Sequence, residues 1–171
     1  VFRDRRRLGL MWLVDDADTV VGKLGPEPLD KSFTPGALGQ RLSRHHISVK
    51  AAFLDQSIVA GIGNMYADEA LFAAHIHPLR KADALSPEEV RTLHNCIRRV
   101  LQAAIGSKGA SVDTYVRPEG ELGTAHSDFK VAHRGGEPCP ICGCTIERVT
   151  VQNRGTYFCP RCQPLGRGPL I

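Results

Sequence analysis

VKAAFLDQSIVAGIGNMYADEALFAA, residues 49–74, divides at its glycines into two helical stretches. The first predicts a helix over Val49–Gln56 with Ala52 and Phe53 turned inward. Gly61-Ile62-Gly63-Asn64 follows as a tight turn, and Asn64 is placed to cap a second helix over Met65–Ala74. Asp68 and Glu69 fall in its first turns, where acids favour the helix dipole. Helix, short glycine turn, helix is a helix–two-turn–helix pattern.

Working outward, the helical reading extends on both sides. Thr34-Pro35 is an N-cap followed by proline at the first helical position, and Leu38 and Leu42 lie on one face of the helix it opens. Ser86-Pro87-Glu88-Glu89 is a capping box. It starts the longest helix, with Val90, Leu93, Ile97, Val100, Leu101 and Ala104 on one stripe and Gly106 and Gly109 near its end. Cys96 lies inside that pattern as a small core residue. Upstream, Leu8–Val14 reads as a buried strand, Asp15–Asp18 as a turn and Thr19–Leu24 as a partner strand, closed by Gly25-Pro26-Glu27-Pro28. Two strands rarely stand alone in water, so the chain looks as though it opens in mid-fold. Glu119–Gly123 reads as a loop leading to the cysteines.

Cys139 and Cys142 form one C-x2-C pair, Cys159 and Cys162 another, with sixteen residues between the pairs. Two pairs at the tips of turns supply four thiolates for one tetrahedral zinc, and the intervening stretch suits an out-and-back hairpin. Four thiolates leave no open position, so one structural Zn2+ is expected. Two disulfides of a secreted domain are the competing reading; the doubled C-x2-C spacing favours metal. Cys144 is a spare thiol. The seven histidines add no ligand: His75 and His77 read as turn or packing residues, His45 and His46 as a polar helix end.

The formal net charge is +4 over 171 residues. Residues 1–9 carry Arg3, Arg5, Arg6 and Arg7 against Asp4, and residues 130–171 carry six Lys/Arg against Glu137 and Glu147. The middle is therefore acidic and the ends basic. If the ends converge in space, a polyanion is the natural partner; a solvated charge run is the bland alternative. No apolar run is long enough to span a bilayer as a helix, and no membrane partner is expected. No low-complexity tract or internal repeat is present.

Several of these segments carry a more specific likeness. Leu54-Asp55-Gln56 and Val59-Ala60-Gly61-Ile62-Gly63-Asn64-Met65-Tyr66-Ala67-Asp68-Glu69-Ala70-Leu71-Phe72 resemble the signature of formamidopyrimidine-DNA glycosylases. So do Leu24-Gly25-Pro26-Glu27-Pro28-Leu29, Ile76-His77-Pro78, Gly136-Glu137-Pro138-Cys139 and Arg154-Gly155-Thr156-Tyr157-Phe158-Cys159-Pro160-Arg161-Cys162-Gln163. The matches run in order from about residue 4 to residue 163.

The resemblance implies a base-excision glycosylase and abasic-site lyase for oxidised purines, acting on double-stranded DNA with damaged bases. An endonuclease VIII-type enzyme for oxidised pyrimidines is the close alternative. A non-catalytic DNA-binding protein and an unrelated zinc ribbon are the distant ones. Members of the family begin with Pro-Glu, whose amine attacks the sugar, and carry a lysine in a β-sandwich domain. Neither segment is among these 171 residues. The expected organisation is 1–29 as a remnant of that sandwich, 30–128 as the helix–two-turn–helix domain and 129–171 as the four-cysteine zinc finger and tail. The fold class is mainly α with a small β zinc ribbon.

By resemblance, Asn64 and Arg154 contact phosphates flanking the lesion; plain capping is the competing role for Asn64. Arg6-Arg7-Leu8-Gly9 resembles the family's Arg-Arg-Phe-Gly loop, so Arg6 would face the orphan base, Arg7 a phosphate, and Leu8 would stand in the aromatic wedge position. Leu8 as the first residue of a strand is the other reading. Lys50 matches a lysine near the lesion, or is a solvated lysine at a helix start. Ser111–Ala125 corresponds to the loop over the flipped base. The resemblance further implies a monomer in the bacterial cytoplasm, associated with the nucleoid and completed by an N-terminal catalytic domain.

Overall fold

The computed structural model describes residues 10–107 and 128–166. Arg6, Arg7 and Leu8 lie outside them, as does the Ser111–Ala125 loop. The elements are α1 (Asp18–Val21), α2 (Pro35–Leu42), α3 (Val49–Leu54), α4 (Asn64–Ala73), a 3-10 turn (Ala82–Ala84), α5 (Pro87–Gly106), β1 (Glu147–Val151) and β2 (Arg154–Phe158). The caps read from sequence are in place at α2 and α5. Thr34 Oγ1 accepts from the Ala37 N–H at 3.1 Å, and Ser86 and Glu89 close the capping box at 3.2 and 2.7 Å.

The N-terminal strand pair is a correction. Residues 10–24 form no strand; Asp18–Val21 is a single helical turn, and Leu10, Met11, Trp12 and Leu13 are exposed. The acids read as a hairpin turn initiate this helical turn instead, with Asp16 Oδ1 accepting from the Asp18 N–H at 2.9 Å. A strand needs a ladder partner, and the described residues offer none here.

The helices pack around one apolar cluster: Leu38 and Leu42 from α2, Val49, Ala52 and Phe53 from α3, Ala67, Ala70 and Leu71 from α4, and Val90, Leu93 and Ile97 from α5. Helix α3 ends at Leu54, two residues short of Gln56, because Gln56 closes the turn. Its Oε1 accepts from the Gly61 N–H at 2.8 Å and its Nε2 donates to the Ile62 carbonyl at 3.3 Å. Gly61 sits at φ +76, where only glycine is unstrained. Helix α4 is the central element, buried from Ala67 to Phe72 without a break. Its Phe72 belongs to a second cluster with Val131, Ile146 and the cysteines of the finger. Strands β1 and β2 pair antiparallel through a two-residue turn, Gln152-Asn153, with both φ values positive as a tight hairpin requires.

Candidate nucleic-acid interface

The Sγ atoms of Cys139, Cys142, Cys159 and Cys162 all lie within 4.8 Å of one another. Cys139–Cys162 measures 3.8 Å and Cys142–Cys159 3.5 Å. Four sulfurs around zinc at about 2.3 Å stand about 3.8 Å apart in a regular tetrahedron, so the group fits without rearrangement. The donor chemistry points the same way. Burial pushes the Cys159 thiol up to about 11 and raises Cys162 as well, whereas a hydrogen bond from the Cys144 backbone lowers Cys142 to about 7. Thiols this close and this buried ionise together only around a cation. The site is a structural zinc centre. Cys144 is half-buried outside the quartet, and Cys96 is buried in the helical core.

The cysteine quartet lies at one end of the hairpin and Arg154 at the other. Arg154 is exposed and faces a cleft of about 470 Å3 shared with Leu54, Gln56, Ile62, Gly63, Asn64 and Gln152. Asn64 and Arg154, 90 residues apart in sequence, thus line one cleft. Asn64 does not cap α4. Gly63 holds the cap position, Asn64 is the first helical residue, and its Nδ2 donates to the Gly155 carbonyl at 2.9 Å. The N-terminus of α4, whose first N–H groups have no intrahelical partner, opens at this cleft.

Lys50 is a further correction. It is neither solvated nor at the cleft: the side chain is 0% exposed. Its Nζ donates to the Asn64 carbonyl at 2.6 Å and to Asp68 Oδ1 at 2.7 Å. Burial pulls the Lys50 ammonium below its ordinary value, and burial pushes the Asp68 carboxyl up to about 6 against the pull of Lys50. The start of α3 is sealed as well, with the Val49 and Lys50 N–H groups donating to the Arg80 and Pro78 carbonyls.

Asp68 and Glu69 are not the dipole-facing acids that the sequence suggested. Asp68 Oδ2 accepts from the Tyr157 N–H at 3.1 Å. Glu69 Oε1 accepts from the N–H groups of Lys130, Val131 and Ala132, each at 2.9 Å. Gln163, fully buried, accepts from the Cys159 N–H and donates to the Ile76 carbonyl at 2.8 Å. The two modules are therefore stitched by polar side chains. No sequence signal marks them: Asp68 and Glu69 adjoin each other midway along α4, and acids ordinarily face solvent.

Two family models match the chain: the formamidopyrimidine-DNA glycosylase H2TH domain over residues 24–116, and the zinc finger found in FPG and IleRS over residues 136–165. The formamidopyrimidine-DNA glycosylase of Symbiobacterium thermophilum is 48% identical, over 99% of this chain and 57% of its own length. That of Chloroflexus aurantiacus is 47% identical, over 95% of this chain and 59% of its own. The crystal structure of MutM (FPG) from Thermus thermophilus superimposes with a TM-score of 0.80 at 42% identity, covering 85% of this chain and 55% of that one. Lactococcus lactis Fpg in complex with DNA containing an abasic site gives 0.78 at 36% identity, covering 86% and 56%. The chain thus spans little more than half the length of these relatives.

Proposed function

The chain belongs to the formamidopyrimidine-DNA glycosylase family, and from that premise we propose that it is the damaged-DNA-binding half of a base-excision glycosylase and abasic-site lyase for oxidised purines. The observation that carries this reading is the shared cleft of Asn64 and Arg154, one from the start of α4 and one from the finger hairpin. Helix N–H groups and an arginine at one cleft are suited to adjacent phosphates, which fix register without reading sequence. The zinc holds the finger and takes no part in chemistry.

In this reading residues 30–128 and 129–171 are the two DNA-binding modules, and Arg6, Arg7 and Leu8 approach the orphan base from the 1–29 segment. Leucine in place of an aromatic wedge keeps open the second reading, an endonuclease VIII-type preference for oxidised pyrimidines. The partner is duplex DNA carrying a damaged base, met by a monomer in the bacterial cytoplasm; no described helix is long and apolar enough to cross a membrane.

Residues 1–171 alone bind DNA and do not cut it. Excision with strand cleavage needs an amine held at the sugar C1′ and an acid to manage protons. Lys50 has a depressed ammonium pKa, yet its tip is enclosed and engaged twice, so no sugar reaches it. Asp68 and Glu69 are likewise committed to the finger. The test is borohydride trapping on 8-oxoguanine and abasic duplexes. The reading expects DNA binding without a covalent adduct from residues 1–171, and an adduct once the family's N-terminal catalytic domain is joined in one chain. Trapping at catalytic rates by residues 1–171 alone would overturn it.

A further inference from the structure

β2 pairs with β1 along one edge, and among the described residues no strand lies along the other. On that edge the Gly155 carbonyl and the Tyr157 N–H are both satisfied by side chains of α4. Asn64 Nδ2 donates to Gly155 O at 2.9 Å, and Asp68 Oδ2 accepts from Tyr157 N at 3.1 Å. The spacing explains why this works. Residues four apart on a helix rise about 6 Å, and residues two apart on a strand advance about 6.8 Å. One helical turn therefore presents a donor and an acceptor in the step that a neighbouring strand would have offered. Lys50 locks the pair from behind, donating at once to the Asn64 carbonyl and to Asp68 Oδ1. The result is a closed, partly buried ring of hydrogen bonds through α3, α4 and β2, with the Lys50–Asp68 contact at its buried end.

This ring sits where the zinc does not. The metal-ligating Cys159 directly follows β2, and Arg154 lies five residues earlier, at about 17 Å for extended chain. The turn end of the hairpin, Gln152-Asn153, projects beyond the last ladder pair, Val151 with Arg154. Between the metal and that turn, the contacts of Asn64 and Asp68 fix the outer edge of β2 against α4.

We propose that Asp68 is a positioning residue for Arg154: with Asn64 one turn away, it docks the outer edge of β2 onto α4 and so sets where the arginine meets the DNA backbone. The inference rests on the reading that Arg154 anchors DNA. It extends that reading to a residue that touches no DNA, and Lys50 acts through it rather than at the lesion.

The test is a double-mutant cycle on the zinc-loaded 171-residue protein, read as affinity for a short duplex carrying a tetrahydrofuran abasic analogue. Lys50→Met/Asp68→Leu removes both charges together, which avoids leaving one buried alone. Lys50→Met/Asp68→Asn keeps a carbonyl acceptor for Tyr157. Zinc content and thermal melting confirm that each variant is folded. In the parent and in the asparagine variant, Arg154→Ala is expected to weaken binding about tenfold; in the leucine variant, less than about threefold, because coupled residues are non-additive. A merely structural role for Asp68 would leave the full effect of Arg154→Ala in every folded background, and that result overturns the inference while the DNA-anchoring reading stands. If Arg154→Ala has no effect in the parent, that reading fails and the inference with it. A second measurement needs no substitution: Tyr157 amide exchange should be as slow as that of the ladder amides of β2, and fast exchange there would overturn the docking.

Discussion

Around Leu38, Phe53, Leu71, Leu93 and Ile97 the helices bury a continuous apolar cluster, whereas among the described residues the finger gathers a smaller one, Val131, Ile146, Tyr157 and Phe72, the last borrowed from α4, around its four cysteines. The core of the helical region is built from its own side chains. The finger has too little apolar surface for that, and it substitutes metal at one end and polar side chains of α4 at the other. Each region is therefore vulnerable in a different place. Helical stability is spread over many side chains, while the finger depends on a few contacts, several of which sit on a helix of the other region.

Removing the metal should separate the two most sharply. Structural zinc supplies about 10 kcal/mol or more to a site of this kind. Chelation is expected to unfold residues 130–163 while α2, α3 and α5 persist, with a lowered melting temperature because Phe72, Asp68 and Glu69 of α4 lose their cover. Amide exchange resolved by residue checks this; uniform loss of protection in both regions would show that they do not differ in their dependence on metal.

The next effect is at the seam. Lys50→Met leaves the Asp68 carboxylate buried with only the Tyr157 N–H, and should cost about 3–5 kcal/mol. Adding Asp68→Leu should return part of that loss, since it removes the buried charge but leaves the Tyr157 N–H unpaired. Urea unfolding of the single and double variants measures both.

A smaller effect depends on pH. Asp68 is raised from 3.8 to about 6 by burial, so the folded state holds its proton more tightly than the unfolded chain. This group's contribution is fully present below pH 4 and is lost as pH rises towards about 6. Lys50, pulled down by burial, adds the opposite slope at alkaline pH. At saturating zinc, the melting temperature of the parent relative to Lys50→Met/Asp68→Leu should therefore fall between about pH 4 and 6. A flat difference would show that burial does not dominate the pair.

What the sequence revealed follows the same division. Thr34-Pro35, the Ser86–Glu89 box and the cysteine spacing are local signals, and each one marks the element it predicted. The seam was not legible, because nothing in NMYADEALF distinguishes an acid facing the solvent from one facing another module. Helical phase puts Asp68 and Glu69 near the dipole; only tertiary packing shows that α4 is covered on all sides. Lys50 escapes a sequence reading for the same reason, since a lysine is seldom fully buried unless it is paired. The apolar run Leu10–Val14 resembles a strand by composition, but strands form only against a partner. Asn64 and Arg154 came from family resemblance, and the fold then placed them in one cleft.

Duplex binding across a salt series tests most directly whether that cleft holds DNA. Asn64→Ala and Arg154→Ala should each weaken binding by about 1–3 kcal/mol, the range for charge-assisted or buried polar contacts. Arg154→Ala should also reduce the slope of log K against log salt by about 0.9, one phosphate's worth of released counterion. If both variants, folded and zinc-loaded, bind as tightly as the parent at every salt concentration, the cleft is not where this chain holds DNA.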